Sequence, residues 1–279
     1  MTVSLGSADL LMLKGADAAS FAHTQFTSDV KSLADHTWQW SAWLDPQGRT
    51  RHFFLLMRTG PTQLIAWLPL GGAAAMRDGL ARFVFRSAVK IETPTGWTLH
   101  SVTTTDVASA VGAKQVVAHH DGYCIVLPGP SQRLAWIAPA EEAQTATAEL
   151  ERWRLDDIAA GLPLLAPELG GEFVPQALDL ERLDAIRFDK GCYPGQEIVA
   201  RLHFRGGNKR HLQRLRVHGK PPAIGASVLG SEGQPVGQVL YAAADSATSS
   251  MALAVLAQTV SHEPLSAADS RAEIIIEHK

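Results

Sequence analysis

Residues 189–205 read Asp-Lys-Gly-Cys-Tyr-Pro-Gly-Gln-Glu-Ile-Val-Ala-Arg-Leu-His-Phe-Arg. Cys192, one of two cysteines in the chain, follows Lys190 and Gly191. Pro194 and Gly195 break whatever precedes them. Gln196 and Glu197 then stand where a first helical turn favours amide and acidic side chains, and Ile198 and Leu202 share a face. The spacing predicts a helix that starts just after Gly195. A thiol close to that helix start and to Lys190 is favoured as thiolate, the form in which cysteine acts as nucleophile or metal ligand. The alternative is a buried structural cysteine in a tight turn.

Upstream, short strands and helices alternate. Strands are expected at 10–13, 38–44, 52–57 and 63–68, with a turn at Asp45-Pro46-Gln47-Gly48. Helices are expected over 17–30 and 73–83. Further strands follow at 97–104, 115–118, 123–127 and 134–137. A long helix over 141–159 ends at Gly161-Leu162-Pro163. Residues 162–178, rich in Pro and Gly, read as an ordered loop that wraps over the body. After Gly206-Gly207-Asn208-Lys209, apolar runs at 212–217, 227–229, 236–242, 251–256 and 273–277 predict a small β-barrel or Greek-key unit.

Lys190-Gly191-Cys192-Tyr193-x-Gly195-Gln196-Glu197 resembles the signature of the YgfZ family, folate-binding proteins related to the T-protein (aminomethyltransferase) of the glycine cleavage system. The likeness extends upstream. Gly15-Ala16-Asp17-Ala18, Gln25-Phe26-Thr27-Ser28-Asp29-Val30, Asp45-Pro46-Gln47-Gly48-Arg49, Phe85 to Ile91 and Phe173-Val174-Pro175-Gln176 resemble other segments of that family. The resemblance implies an α+β, T-protein-like fold of two α+β subdomains and a C-terminal β-barrel. Residues 1–205 would form the folate-binding region, split near 92, and 206–279 the barrel. It also implies a cytoplasmic accessory protein that binds tetrahydrofolate and supports iron–sulfur cluster assembly or repair, and thereby tRNA modification. Cys192 would be the motif thiolate and a shared cluster ligand, with Lys190, Gly191, Tyr193, Gly195, Gln196 and Glu197 around it. Trp153, Asp156 and Arg201 are taken as folate-binding residues. Client iron–sulfur enzymes or assembly proteins would be partners.

One departure bears on activity. T-proteins carry Leu-Glu-Ala-Gly where this chain has Ile158-Ala159-Ala160-Gly161, so the acid that anchors their pterin is Ala159 here. That argues against the rival reading, a folate-dependent aminomethyl or one-carbon transferase. Asp156 and Asp157 are substitutes nearby, and helical spacing brings Asp156 near the face of Ala159 and Ala160.

Composition agrees with this outline. The 279 residues, 46% hydrophobic and 19% charged, suit two or three subdomains. No apolar run of about 18 residues exists, so no membrane span is expected. The first residues lack the pattern of a signal peptide, and two cysteines do not make a disulfide scaffold, so a reducing cytoplasm is expected. Two thiols also cannot supply the four ligands of a cluster, so any cluster would be shared. The net charge is −3, yet residues 198–231 hold seven Lys and Arg and no Asp or Glu. That segment suits an anionic partner such as RNA, a polyglutamylated folate tail or an acidic protein; the alternative is a solvated strand pair. Histidine spacing fits no metal motif, although His203 was placed to approach Cys192 if the helix turned back.

Overall fold

The computed structural model describes residues 2–102, 111–130, 133–139, 144–260 and 264–275. Two antiparallel sheets pack face to face, and a closed barrel stands against them.

The first sheet runs β3 (Thr37–Leu44), β4 (Thr50–Gly60), β5 (Gln63–Leu68), β2 (Asp9–Lys14), β6 (Lys90–Glu92). Both of its faces are buried, which is why its strands read as near-continuous apolar runs. Along β4, Phe53, Leu55 and Met57 face the second sheet, while Phe54 and Leu56 face helices α1 (Ala18–Gln25) and α2 (Ala73–Ala81). The second sheet runs β1 (Thr2–Ser7), β7 (Trp97–Val102), β10 (Arg133–Pro139), β9 (Gly122–Leu127), β8 (Val116–His119). The first strand therefore belongs to the second sheet, and the chain crosses between sheets at Ala8. Helix α3 (Thr147–Ala159) follows. The barrel closes in the order β11 (Arg210–Val217), β14 (Ser250–Ala257), β13 (Pro235–Ala244), β12 (Ser227–Leu229), β15 (Leu265–Ala267), β16 (Ser270–Ile274). It has its own core around Leu215, Val239 and Leu256. It is tied to the body where Glu151 accepts the Ala244 amide at 2.7 Å and the Tyr241 hydroxyl donates to the Leu162 carbonyl at 2.7 Å.

Residues 162–178 form the expected ordered loop, with a single 3-10 turn at Pro167–Leu169 and Leu162, Leu164, Leu165 and Phe173 buried beneath it. Several expected elements are corrected. The helix expected over 17–30 stops at Gln25. Phe26 turns extended and bridges to Trp43, and the Thr27 hydroxyl accepts the Ala42 amide at 3.0 Å and donates to the Ala185 carbonyl at 2.6 Å. A side chain that bonds to distant backbone removes its residue from the helix. The helix expected from 141 begins at Thr147, because Ala146 donates its amide to Ser4 of β1; 141–143 lie outside the described residues. The helix expected to 83 ends at Ala81. Positions 103–104 and 276–277 of two expected strands also lie outside the described residues.

Candidate functional site

The loop carrying Cys192 is fastened to the N-terminal segment that breaks α1. Lys190 Nζ donates to the carbonyls of His23, Phe26 and Ser28 at 2.6, 2.6 and 2.7 Å. Three acceptors consume all three ammonium protons, so Lys190 is a bolt across the fold and has none left to donate to Cys192. Burial holds its pKa down, to about 8, with the Asp29 carboxylate pulling the other way. The Arg187 amide reaches the Thr27 carbonyl at 2.9 Å. The buried Tyr193 hydroxyl donates to the Arg187 carbonyl at 3.0 Å, and its ring lies 5.1 Å from Lys190 Nζ. Burial raises the Tyr193 phenol, with the Glu181 charge adding to the effect.

Behind the cysteine, two turns dock. Gly195, at φ +75°, presses against the 45–48 turn so closely that a Cβ would meet the Asp45 carbonyl and stand 2.7 Å from Gly48 Cα. A left-handed residue at that approach must be glycine. Helix α4 (Gln196–Arg205) starts there, as expected, with Gly195 as its cap residue. The Gln176 side chain donates to the Val199 carbonyl at 3.0 Å, which pins the helix to the wrapping loop.

This arrangement opens a cleft of about 1020 Å3 between the Cys192 loop, the 45–48 turn and α2. Cys192, Tyr193, Gly195, Gln196 and Glu197 line it, and Cys192 is exposed. Trp43 and His52 form a further wall, their rings stacked at 5.9 Å and 9°. Trp43 fits because α2 has Gly79 there; a Cβ would strike its ring at Cη2 and lie 2.8 Å from Cζ3. Burial, and after it the Arg51 charge, lower the His52 pKa to about 4, so its ring is neutral at pH 7. The other cysteine, Cys124, is buried in β9, and burial pushes its thiol up to about 11.

The three folate candidates do not meet in this cleft. Trp153 is buried, with the Arg133 guanidinium 4.7 Å over its ring. Asp156 is half-buried, while Asp157 is the buried acid, 2.8 Å from Arg133. Burial raises the Asp157 pKa to about 6 against the pull of Arg133. Arg201 is exposed on α4. Sequence reading passed over Arg133 and preferred Asp156 to Asp157, yet Trp153 and Asp157 stand four apart and so share the buried face of α3. A second cavity of about 460 Å3 lies beside Ala159, Ala160 and Gly161, walled by Asp179, Arg182 and Arg214. His203 turns to Glu181 at 2.9 Å and stacks on Phe188 at 4.2 Å. Among the described residues, no group of three or more His, Cys, Asp or Glu is placed to hold a metal ion. No helix among them is long and apolar enough to cross a membrane.

The two-sheet body with its barrel is the T-protein fold. The aminomethyltransferase T of the Bartonella henselae glycine cleavage system superposes with a TM-score of 0.71 over 99% of this chain and 84% of its own, at 14% identity. No family model matches the chain. The tRNA-modifying protein YgfZ of Sodalis glossinidius is 30% identical over 86% of this chain and 80% of its own length. That of Yersinia enterocolitica is 29% identical over 86% and 79%. The chain belongs to the YgfZ family.

Proposed function

We propose that this chain is a folate-binding accessory protein that supports iron–sulfur enzymes, and through them tRNA modification, with Cys192 as its working thiol. One observation carries the reading: an exposed cysteine sits on a loop that a half-buried lysine, three carbonyls and a glycine-to-glycine contact hold rigid. Such construction is far more than a structural turn requires. The name that the relatives carry, tRNA-modifying protein, supports the outcome in cells.

The cluster would be cargo. Cys192 offers one sulfur, and a cluster takes four ligands, so the others must come from a client, an assembly protein or small thiols. The T-protein fold supports a folate site, and the cavity beside Ala159 suits a carboxylate-bearing ligand. Arg182 and Asp179 line it as a pair, 2.9 Å apart, and Arg214 adds a second cation to its wall. Affinity should be modest, about −5 to −8 kcal/mol. Titration with tetrahydrofolate, followed by tryptophan fluorescence, tests this; no quenching at millimolar ligand removes folate from the reading. With Ala159 in place of the acid, aminomethyl transfer should not occur, and turnover with the other glycine cleavage components would restore the transferase.

The decisive experiment is complementation. Cys192→Ser should fold normally and fail to restore iron–sulfur enzyme activity in a strain lacking the protein. Full complementation would reduce the loop to scaffolding.

RNA contact is a second reading, favoured by one feature. Phe204 is 74% exposed on α4 beside His203, between Arg201 and Arg205, a surface on which a base can stack. Binding should fall steeply with salt, and Phe204→Ala should weaken it.

A further inference from the structure

The cleft in front of Cys192 is walled by two stacked polar rings, Trp43 and His52, neither of which makes a hydrogen bond among the described residues. Trp43 is 9% exposed and its buried Nε1–H has no hydrogen-bond partner. His52, 8% exposed, stacks on it and makes no hydrogen bond among the described residues. A polar ring at a cleft wall is satisfied by a ligand that carries the complementary group. The neutral His52 ring offers one donor and one acceptor, which matches a peptide amide.

The rim has charges to spare. Arg51 and Arg82 line the cleft with no carboxylate partner among the described residues, and Glu197 has no cationic one. The other two acids are engaged: Asp78 is held by Arg77 at 2.8 Å, and Asp45 accepts the amides of Gln47 and Arg49. What remains is two guanidiniums, one carboxylate and the exposed sulfur of Cys192.

We propose that this cleft binds a low-molecular-weight peptide thiol bearing two carboxylates and one ammonium, and aligns its sulfur with Cys192 for thiol–disulfide exchange. The carboxylates meet Arg51 and Arg82, the ammonium meets Glu197, and an amide lies against Trp43 and His52. The inference rests on the reading of Cys192 as the working thiol.

The exchange is balanced with the disulfide of that small thiol as oxidant. Cys192 Sγ, as thiolate, attacks one sulfur of the disulfide. The new bond joins Cys192 to that half, and the old sulfur–sulfur bond breaks. The other half leaves with the electron pair and takes up the proton that Cys192 gave to water. Cys192 ends oxidised as a mixed disulfide and one half of the reagent ends reduced. A second molecule of free thiol reverses the step. The small thiol is thereby a removable cap on the sulfur.

The test uses the full-length protein with oxidised glutathione as probe. Cystamine, a disulfide without carboxylates, is the comparator. Mass spectrometry follows the Cys192 adduct, and each rate is divided by that of a short cysteine peptide with the same reagent. The normalised rate with oxidised glutathione should exceed that with cystamine by about tenfold or more. Arg82→Ala, a change at an exposed position, should erase most of that preference. Equal normalised rates, or a preference untouched by both Arg82→Ala and Arg51→Ala, overturn the site. The two readings fail separately. If Cys192→Ser abolishes complementation while the preference is absent, only the small-thiol site falls. If Cys192→Ser complements, the cellular role of the thiol falls, whatever the exchange rates show.

Discussion

Two cations, one buried and one half-buried, hold two regions of this protein in different ways. Arg133, in the second sheet, is met by a charge: Asp157 at 2.8 Å, with the Trp153 carbonyl at 3.0 Å and the Trp153 ring beneath. Lys190, in the Cys192 loop, is met by three neutral carbonyls. The Arg133 region fills a core, and its neighbours Trp153 and Asp157 are buried with it. The Lys190 region does the reverse. It uses a half-buried charge to hold outward a loop whose cysteine faces solvent. A buried ion pair anchors mass, whereas a lysine under carbonyls shapes backbone.

The largest effect should come from breaking the pair. Arg133→Met leaves Asp157 buried and unpaired and should cost about 3–5 kcal/mol in urea denaturation. A cost below 1 kcal/mol would mean that the region is packed rather than paired.

The next effect is a pH dependence on the cleft side. In the unfolded chain His52 takes a proton below pH 6.5, whereas the buried ring resists until about 4. The folded pKa is depressed, so its contribution is present above 6.5 and is lost as pH falls toward 4, by about 3 kcal/mol. The stability of wild type relative to His52→Leu should therefore fall as the pH is lowered. Parallel curves would place the His52 ring in contact with water.

Lys190→Met should cost less, about 2 kcal/mol, since it deprives three carbonyls of donors without stranding a charge. Its signature is local. Amide exchange should quicken around residues 185–195 while the barrel stays protected. A uniform loss of protection would erase the distinction between the two cations.

The smallest effects on stability separate the cysteines. Cys192→Ser should change stability by less than about 0.5 kcal/mol, as exposed positions do, and Cys124→Ser should cost about 1–2 kcal/mol. At pH 8 an alkylating reagent should label Cys192 and spare Cys124 in the folded protein. Labelling of both at one rate would show that β9 opens.

Much of this comparison was legible in advance on one side only. The Gly195 break, the helix after it and the 45–48 turn come from local chemistry, in which glycine and proline act within a few residues. Barrel strands β11 to β14 were readable for the same reason, whereas β15 was not expected and β16 begins ahead of the expected 273–277 run. Lys190 was not readable as a bolt, because its partners lie more than 160 residues away in sequence. The end of α1 was missed on the same account: Thr27 leaves the helix for Ala42 and Ala185. On α3 the carboxylates are adjacent, and spacing measured from Ala159 favoured Asp156. Measured from Trp153, it would have favoured Asp157, the one that is buried. The Trp43–His52 wall depends on strand register, which pairs these two residues across β3 and β4.

The crossing at Ala8 has a consequence for how the molecule is made. Thr2 pairs with Val102, and Ser7 with Thr98, so the opening strand waits for a partner synthesised nearly a hundred residues later. The first sheet can zip up meanwhile, since β2 to β5 need nothing beyond Leu68. Until β7 emerges, Thr2–Ser7 is an unpaired edge in search of a ladder, and closing so long a loop is slow. Once closed, the strand acts as a seat belt. One residue, Ala8, separates its sheet from the other, and its amide is fastened to the Trp97 carbonyl at 2.8 Å. The two sheets are thus tied at that end through a single residue.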